Sequence, residues 1–149
     1  MNNVLILGFI LGIAGAILDF YSSFFFLSDA TSRTVMMGIT SVHYNSTAEA
    51  WGISFAILGL LLLITAIASV SSFGMGRMSL FGAMMIVFGL VMISLGFLMY
   101  SGYTPMMSQQ GATTFSSFGM FVVGFLMLLN GSVMIVRRMP TTSISPKNM

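Results

Sequence analysis

The chain contains four long runs of apolar residues that are separated by shorter polar stretches. The runs cover residues 4–27, 51–70, 80–100 and 117–136. Because an α-helix rises about 1.5 Å per residue, about 20 apolar residues are needed to cross the hydrocarbon core of a bilayer. Membrane-spanning β-strands would alternate polar and apolar positions over about ten residues, and these runs do not. The pattern predicts an all-α integral membrane protein with a bundle of four transmembrane helices.

The polar stretches between the runs define the rest of the organisation. Residues 28–50 and 101–116 form two larger loops on one side of the membrane, whereas the connection between the second and third runs is short. In the first loop Asp29 and Arg33 are four residues apart, so a short surface helix would pair their charges. We expect residues 1–138 to form one four-helix membrane domain and residues 139–149 to form a flexible tail.

Composition supports the same class of protein. Of the 149 residues, 57% are hydrophobic and only 5% are charged, and the mean hydropathy is +1.03. A soluble domain carries about 25% charged residues, so this chain cannot cover a soluble fold with a water-facing surface. Five Lys and Arg residues are also too few for a nucleic-acid partner. The expected partner is the lipid bilayer.

The basic residues predict the orientation of the chain. With the N-terminus inside, most of them lie on the inner side and only Arg33 lies outside, as the positive-inside rule expects. The inner residues are Arg77, Arg137, Arg138 and Lys147. Aromatic residues at the outer helix ends agree with this orientation, namely Tyr21, Trp51, Tyr100 and Tyr103. We predict a multi-pass protein of the cell membrane with both termini in the cytoplasm.

Few residues are available for catalysis. The chain has no cysteine and one histidine, His43, which excludes thiolate metal sites, a cysteine nucleophile and motifs that need two histidines. We therefore expect no enzymatic activity and no cofactor. A membrane enzyme would have to use Asp19, Asp29, His43 or Glu49.

Asp19 is the one ionisable residue inside an apolar run. Its position predicts a depth in the outer third of the first helix, where an unpaired carboxylate costs about 1–3 kcal/mol. One interpretation is a proton, cation or substrate site between helices. The other is a structural carboxylate that bonds to hydroxyl or backbone groups or reaches Arg33.

Small residues recur at helical spacing and predict close contacts between helices. They form ridges on the first and second helices at Gly8, Gly12, Ala16, Gly52, Ala56 and Gly59. On the third helix, glycines recur every seven residues at Gly82, Gly89 and Gly96. The spacing leaves open whether the partner helix belongs to this chain or to another subunit. Asn130 in the fourth run predicts an interhelical hydrogen bond.

Methionine is unusually abundant, with 16 residues. A flexible apolar side chain that recurs every seven residues, as at Met120, Met127 and Met134, predicts helix packing. An alternative is a Cu(I) site, since thioether groups suit that ion. Its ligands would come from the outer loops, namely Met36, Met37, His43, Met106 and Met107.

These observations lead to two functional hypotheses. The first is a small non-catalytic accessory subunit of a larger membrane complex, such as a respiratory oxidase or a copper-dependent ammonia or methane monooxygenase. The second is a small homo-oligomeric transporter or channel that uses Asp19 as its proton, cation or substrate site. Its outline of four helices with an acidic residue in the first is similar to that of the small multidrug transporters, although Asp19 lies far along its helix.

Overall fold

The computed structural model describes residues 3–71, 77–102 and 110–137, with residues 32–36 and 110 described by their backbone. The elements are α1 (Asn3–Ala30), β1 (Thr31–Met36), β2 (Ile39–Tyr44), α2 (Ser46–Val70), α3 (Met78–Tyr100) and α4 (Gln110–Val136). The four helices are long and apolar enough to cross a membrane, and they pack together. The predicted bundle of four apolar helices is therefore confirmed.

The bundle is built from two antiparallel helical hairpins. Helix α1 packs along α2, and α3 packs along α4, while contacts between α1 and α4 join the two pairs. We call the end of the bundle at which α1 leads into β1 the hairpin end, after the β-hairpin formed by β1 and β2. We call the opposite end the termini end. Because α1 is packed on both sides, it is the most enclosed of the four helices.

Helices α3 and α4 approach each other so closely that their contact surface is almost bare backbone. A Cβ atom on Gly89 would lie 2.6 Å from the carbonyl oxygen of Gly124, and one on Gly131 would lie 2.5 Å from that of Gly82. Near the hairpin end, a Cβ on Gly96 would lie 3.0 Å from the carbonyl oxygen of Ser117. These contacts recur every seven residues on both helices, so the same close approach continues along the whole antiparallel pair.

Methionine side chains fill the space between the two hairpins. The Cε atom of Met134 lies 2.7 Å from where a Cβ on Gly8 would be, and that of Met127 lies 2.9 Å from the same position on Gly15. Long side chains from α3 and α4 thus cover the small residues of α1, a role that suits the flexible thioether chain. The methionines that are no more than 2% exposed are Met85, Met92, Met99, Met120, Met127 and Met134.

A β-hairpin, which the sequence analysis does not predict, connects α1 to α2. Strand β1 pairs with β2 in antiparallel register from Thr31–Tyr44 to Met36–Ile39. The expected surface helix around Asp29 and Arg33 does not form, because Asp29 lies in the last turn of α1 and Arg33 lies on β1. The β-branched residues in this segment favour a strand over a helix.

The turn of this hairpin holds two residues in the left-handed region. Met37 has a φ of 51° and Gly38 has a φ of 80°. Positive φ at both central residues is the geometry of a type I′ turn, which matches the twist of the flanking strands. Gly38 adopts it without strain, whereas Met37 carries a Cβ that disfavours it.

Asn45 closes the base of the hairpin and starts α2. Its backbone N–H donates to the carbonyl oxygen of Ala30 at 2.9 Å. Its Oδ1 accepts from the backbone N–H groups of Thr47 and Ala48 at 3.1 and 3.2 Å, which is an N-cap. Helix α2 therefore begins at Ser46, five residues before the apolar run starts at Trp51.

Candidate functional site

Asp19 lies just past the middle of α1 and is enclosed by the bundle. At about 1.5 Å per residue it stands about 24 Å along a helix that is about 42 Å long. Its side chain is 0% exposed. The sequence analysis expects a shallower position, whereas α1 extends to Ala30 and moves Asp19 closer to the middle of its helix.

The side of Asp19 that faces α2 meets a glycine. A Cβ atom on Gly59 would lie 3.2 Å from the Cβ of Asp19 and 3.2 Å from the carbonyl oxygen of Ala16. Gly59 is close to the midpoint of α2, so Asp19 lies at mid-height in both helices. Because Gly59 has no side chain, α2 leaves room for the carboxyl group without offering it a hydrogen-bond donor.

Within the described part of the chain, neither carboxylate oxygen of Asp19 has a hydrogen-bond partner, and both are inaccessible. Burying an ionised carboxylate away from water without a hydrogen-bond partner is costly. An unpartnered carboxylate in such a place needs a proton, a cation or a donor group to compensate its charge. Asp19 is therefore a buried ionisable group that lacks a partner for its charge among the described residues.

Buried hydroxyl groups lie on the hairpin-end side of Asp19. Ser22 is 0% exposed and its hydroxyl donates to the carbonyl oxygen of Leu18 at 2.9 Å. Ser116 on α4 is also 0% exposed, and its Oγ has no partner among the described residues. The ring contact between Tyr21 and Phe115, with centroids 5.5 Å apart, places this part of α4 beside the same part of α1.

The result is a polar layer inside an apolar core. Its members besides Asp19 are Ser22, Ser23, Ser116 and Ser117. The serine hydroxyls supply oxygen atoms that accept hydrogen bonds or coordinate a hard cation, and the carboxyl group supplies the charge and the site for a proton. Of these, the sequence singles out Asp19, and Ser22 and Ser23 follow it by three and four residues on the same helix face. Ser116 and Ser117 are missed, because they stand at the start of an apolar run.

No family model, no curated protein and no solved structure matches this chain.

The predicted small-residue ridges lie at contacts within this chain. A Cβ on Gly12 would lie 2.7 Å from the Cβ of Ala66, and one on Gly52 would lie 2.7 Å from Cγ of Leu27. Ala16 is buried against Gly59, and Ala56 is half-buried on α2. The glycines Gly8, Gly12, Gly52 and Gly59 thus face neighbouring helices of the same bundle.

Asn130 bridges α4 to the backbone of α1. With its amide oriented so that both groups are paired, its nitrogen donates to the carbonyl oxygen of Val4 at 3.3 Å. Its oxygen accepts from the backbone N–H of Gly8 at 3.2 Å. Asn130 reaches this backbone because Gly8 has no side chain, and it therefore joins the two helical hairpins near the termini end.

Most of the predicted interface anchors that the structure describes lie near an end of the bundle, whereas Tyr21 lies nine residues before the end of α1. Trp51 packs beside Phe26 with ring centroids 6.3 Å apart, and Tyr100 is 77% exposed at the end of α3. Arg77 precedes α3 and Arg137 follows α4, both at the termini end. Tyr103 and Arg138 lie outside the described residues.

The candidate copper ligands are not brought together by the hairpin. Met37 is at the turn, whereas His43 lies four residues beyond Ile39 near the base of β2, which is about 13 Å of strand at 3.3 Å per residue. Met36 pairs with Ile39 beside the turn, far from His43. Met106 and Met107 lie outside the described residues. Where the structure describes the chain, no three His, Asp or Glu side chains form a metal-binding group.

Proposed function

We propose that this chain is a multi-pass protein of the cell membrane with both termini in the cytoplasm. The large side chains that stay exposed along the helices support membrane insertion, for example Leu60, Leu90 and Phe125, which are 52%, 54% and 57% exposed. Such residues on the outer surface of a bundle suit lipid rather than water. The excess of basic residues at the termini end supports the orientation.

The absence of native cysteine makes this orientation directly testable. Single cysteines at Thr40 on β2 and at Ser79 in the first turn of α3 would mark the two ends of the bundle, and both native residues are exposed. We expect a membrane-impermeant maleimide to label intact cells at position 40 and to label position 79 only after permeabilisation. The reverse pattern would invert the topology, and labelling of both in intact cells would contradict a four-span protein.

We propose further that the protein is a small transporter or channel in which Asp19 binds a proton or a small monovalent cation. The observation that carries this proposal is the burial of both Asp19 oxygens without a partner among the described residues. Burying an ionisable group inside a membrane protein costs free energy, and residues that do so usually have a function. If position 19 had only a packing role, a serine or an alanine would fill it at a lower cost than an aspartate.

In this proposal Asp19 binds its ion within one chain, and the homo-oligomeric assembly of the sequence-based hypothesis stays a prediction. Asp19 is fully buried within this chain, and its Cβ faces Gly59 of α2. The reaction is a reversible one, in which the carboxylate accepts a proton or cation at one side of the membrane and releases it at the other. The serine hydroxyls towards the hairpin end offer the next oxygen atoms along that path.

The test is ion flux in proteoliposomes that contain the purified chain. An imposed proton or Na⁺ gradient should collapse faster with the wild-type protein than with Asp19→Asn. Asp29→Asn is the matched control, because it makes the same chemical change on the same helix but at a half-buried side chain in the last turn of α1. Equal flux in wild type and Asp19→Asn would reject this function, and equal loss in both variants would mean a general effect of charge.

A second candidate, the accessory subunit of a larger membrane complex, is favoured by the β-hairpin. Val42 and Tyr44 lie on one face of β2 and are 58% and 61% exposed. Adjacent exposed apolar side chains that form a patch suit a contact with another protein. A respiratory or monooxygenase complex is one setting for such a subunit.

This candidate is tested by native electrophoresis of gently solubilised source membranes, followed by mass spectrometry and metal analysis of the band. Migration with larger proteins, lost in Val42→Ser but kept in Ser41→Ala, would support the subunit. A band that contains this chain alone would reject it. Since Ser41 points to the opposite face of the strand, it controls for general disturbance of the hairpin.

A further inference from the structure

An apolar cavity of about 270 Å³ opens between α1 and α4 near the termini end. Its lining residues are Val4, Leu7, Leu11, Leu126, Leu129, Asn130 and Val133. Asn130 is 4% exposed and its amide is bonded to the backbone of α1, so it adds no unpaired polar group to the cavity. Apolar cavities of this kind exclude water and accept hydrocarbon.

The shape of the cavity is that of a groove along the helices. On α1 its lining extends from Val4 to Leu11, and on α4 it extends from Leu126 to Val133. Seven residues of helix correspond to about 10 Å. The groove therefore runs for about two helical turns from the termini end towards the centre of the bundle.

Positive charge stands at the termini end of this groove. Arg137 follows Val133 by one turn, with its backbone N–H bonded to the carbonyl oxygen of Val133, so both residues lie on the same face of α4. Its side chain is exposed. Across the groove, the first turn of α1 contains no acidic residue and presents the positive end of the helix dipole.

We propose that this groove binds one hydrocarbon chain of an anionic phospholipid, whose phosphate group lies between Arg137 and the start of α1. The apolar walls bind the chain, and the charge at the end of the groove selects the headgroup. In the proposed orientation this end faces the cytoplasmic leaflet, which is where anionic lipids are enriched.

The residues at the rim favour a lipid over a second protein helix. Membrane helices approach each other through small residues, and here Leu7 and Leu129 stand at the rim at 48% and 50% exposure. The small residues of α1 are already turned towards α2 and α4. A single flexible hydrocarbon chain fits between these large side chains, whereas the same side chains would keep the backbone of a second helix at a distance.

Native mass spectrometry of the purified full chain tests this proposal with two probes. Phosphatidylglycerol and phosphatidylcholine with identical acyl chains are added at matched concentration, so that they differ only in the headgroup. We expect wild type to retain one phosphatidylglycerol in preference. Leu129→Trp, which fills the groove, should lower retention of phosphatidylglycerol about tenfold, equivalent to ~1.4 kcal/mol.

Two further variants distinguish binding of the lipid's hydrocarbon chain from binding of its headgroup. Leu90→Trp makes the same change on an exposed position of α3 away from the groove, and it should leave retention unchanged. Arg137→Gln should reduce the preference for phosphatidylglycerol about fivefold, since a basic residue near a membrane surface contributes ~1 kcal/mol. It should not change retention of phosphatidylcholine.

Specific outcomes would overturn the proposal. Equal retention in Leu129→Trp and Leu90→Trp would mean that lipid adheres to the whole surface. An unchanged preference in Arg137→Gln would remove the headgroup contact, and a wild-type dimer that Leu129→Trp dissociates would identify a second copy as the occupant. If Leu129→Trp fails to fold, Leu7→Phe gives a smaller change at the same rim.

Discussion

Gly59 of α2 stands opposite Asp19 of α1, so close that a Cβ on Gly59 would lie 3.2 Å from the Cβ of Asp19. The acid is thus placed where the neighbouring helix has no side chain. Any larger residue at position 59 would press on the acid itself and on the backbone of Ala16. The size of one residue on α2 therefore controls the space that is available to the carboxyl group on α1.

Gly59→Ala should impair the Asp19 site more than the fold. The added methyl group would be only slightly too close to its neighbours, so we expect a loss of about 1 kcal/mol in unfolding free energy at most. Ion flux in proteoliposomes should fall clearly, because the Asp19 side chain must move to accommodate the methyl group. Flux equal to wild type would show that the position of Asp19 does not matter for transport.

Asp19→Asn should leave the stability of the bundle unchanged or raise it. The described structure gives the carboxylate oxygens no hydrogen bond to lose, and the amide removes a buried ionisable group of nearly equal size. Reversible unfolding in detergent micelles measures this. A loss of more than about 2 kcal/mol would instead indicate a bonded carboxylate with a structural role.

Gly89→Ala should destabilise the α3–α4 pair. Its methyl group would lie 2.6 Å from the carbonyl oxygen of Gly124, and backbone cannot move aside as a side chain can. We expect a cost of about 1–3 kcal/mol in unfolding free energy. Gly111→Ala is the control, because nothing lies within 4 Å of its added methyl group, and it should be neutral or slightly stabilising.

Asn130→Ala should weaken the contact between the two helical hairpins. It removes both bonds to the backbone of α1, and interhelical hydrogen bonds of this kind contribute about 0.6–2 kcal/mol in membranes. Ser132→Ala on the same helix is the control, since that exposed hydroxyl bonds to the carbonyl oxygen of Leu128 within α4. Identical unfolding curves for the two variants would contradict the bridge.

Met37→Asn should stabilise the β-hairpin. Asparagine tolerates the left-handed region better than methionine, and it is a preferred residue in type I′ turns. Hydrogen exchange should show greater protection of the amides between β1 and β2, by about 0.5–1 kcal/mol in opening free energy. Gly38→Ala should have the opposite effect, because it forces a Cβ into a φ of 80°.

The sequence predicts the helices well because membrane insertion depends on length and hydropathy alone. It underestimates the lengths of α1 and α2, because α1 continues to Ala30 and α2 begins directly after Asn45, both of which lie outside the apolar runs. The hairpin is missed for a related reason. A segment with scattered β-branched residues and no Asn-Gly turn signal resembles a loop, and composition does not reveal that Met37 adopts the left-handed region.

The candidate site is predicted only in part. Asp19 stands out because it is an ionisable residue in an apolar run, but its partner Gly59 depends on the register between α1 and α2, which spacing alone does not specify. Ser116 is equally invisible, since a serine at the start of an apolar run is ordinary. Whether the small ridges face inwards or outwards is likewise a property of the packed bundle rather than of one helix.

The seven-residue spacing of the glycines permits more than one alignment of α3 and α4. A shift of α4 by seven residues, about 10 Å, would place Gly124 opposite Gly82 and Ser117 opposite Gly89, which are contacts of the same kind. The glycines therefore make the pair close without fixing its register. Asn130 constrains a different alignment, because its amide bonds to the backbone of Val4 and Gly8 and so fixes the position of α4 along α1. A single polar side chain on the fourth helix thus determines an alignment of a kind that equally spaced small residues do not specify.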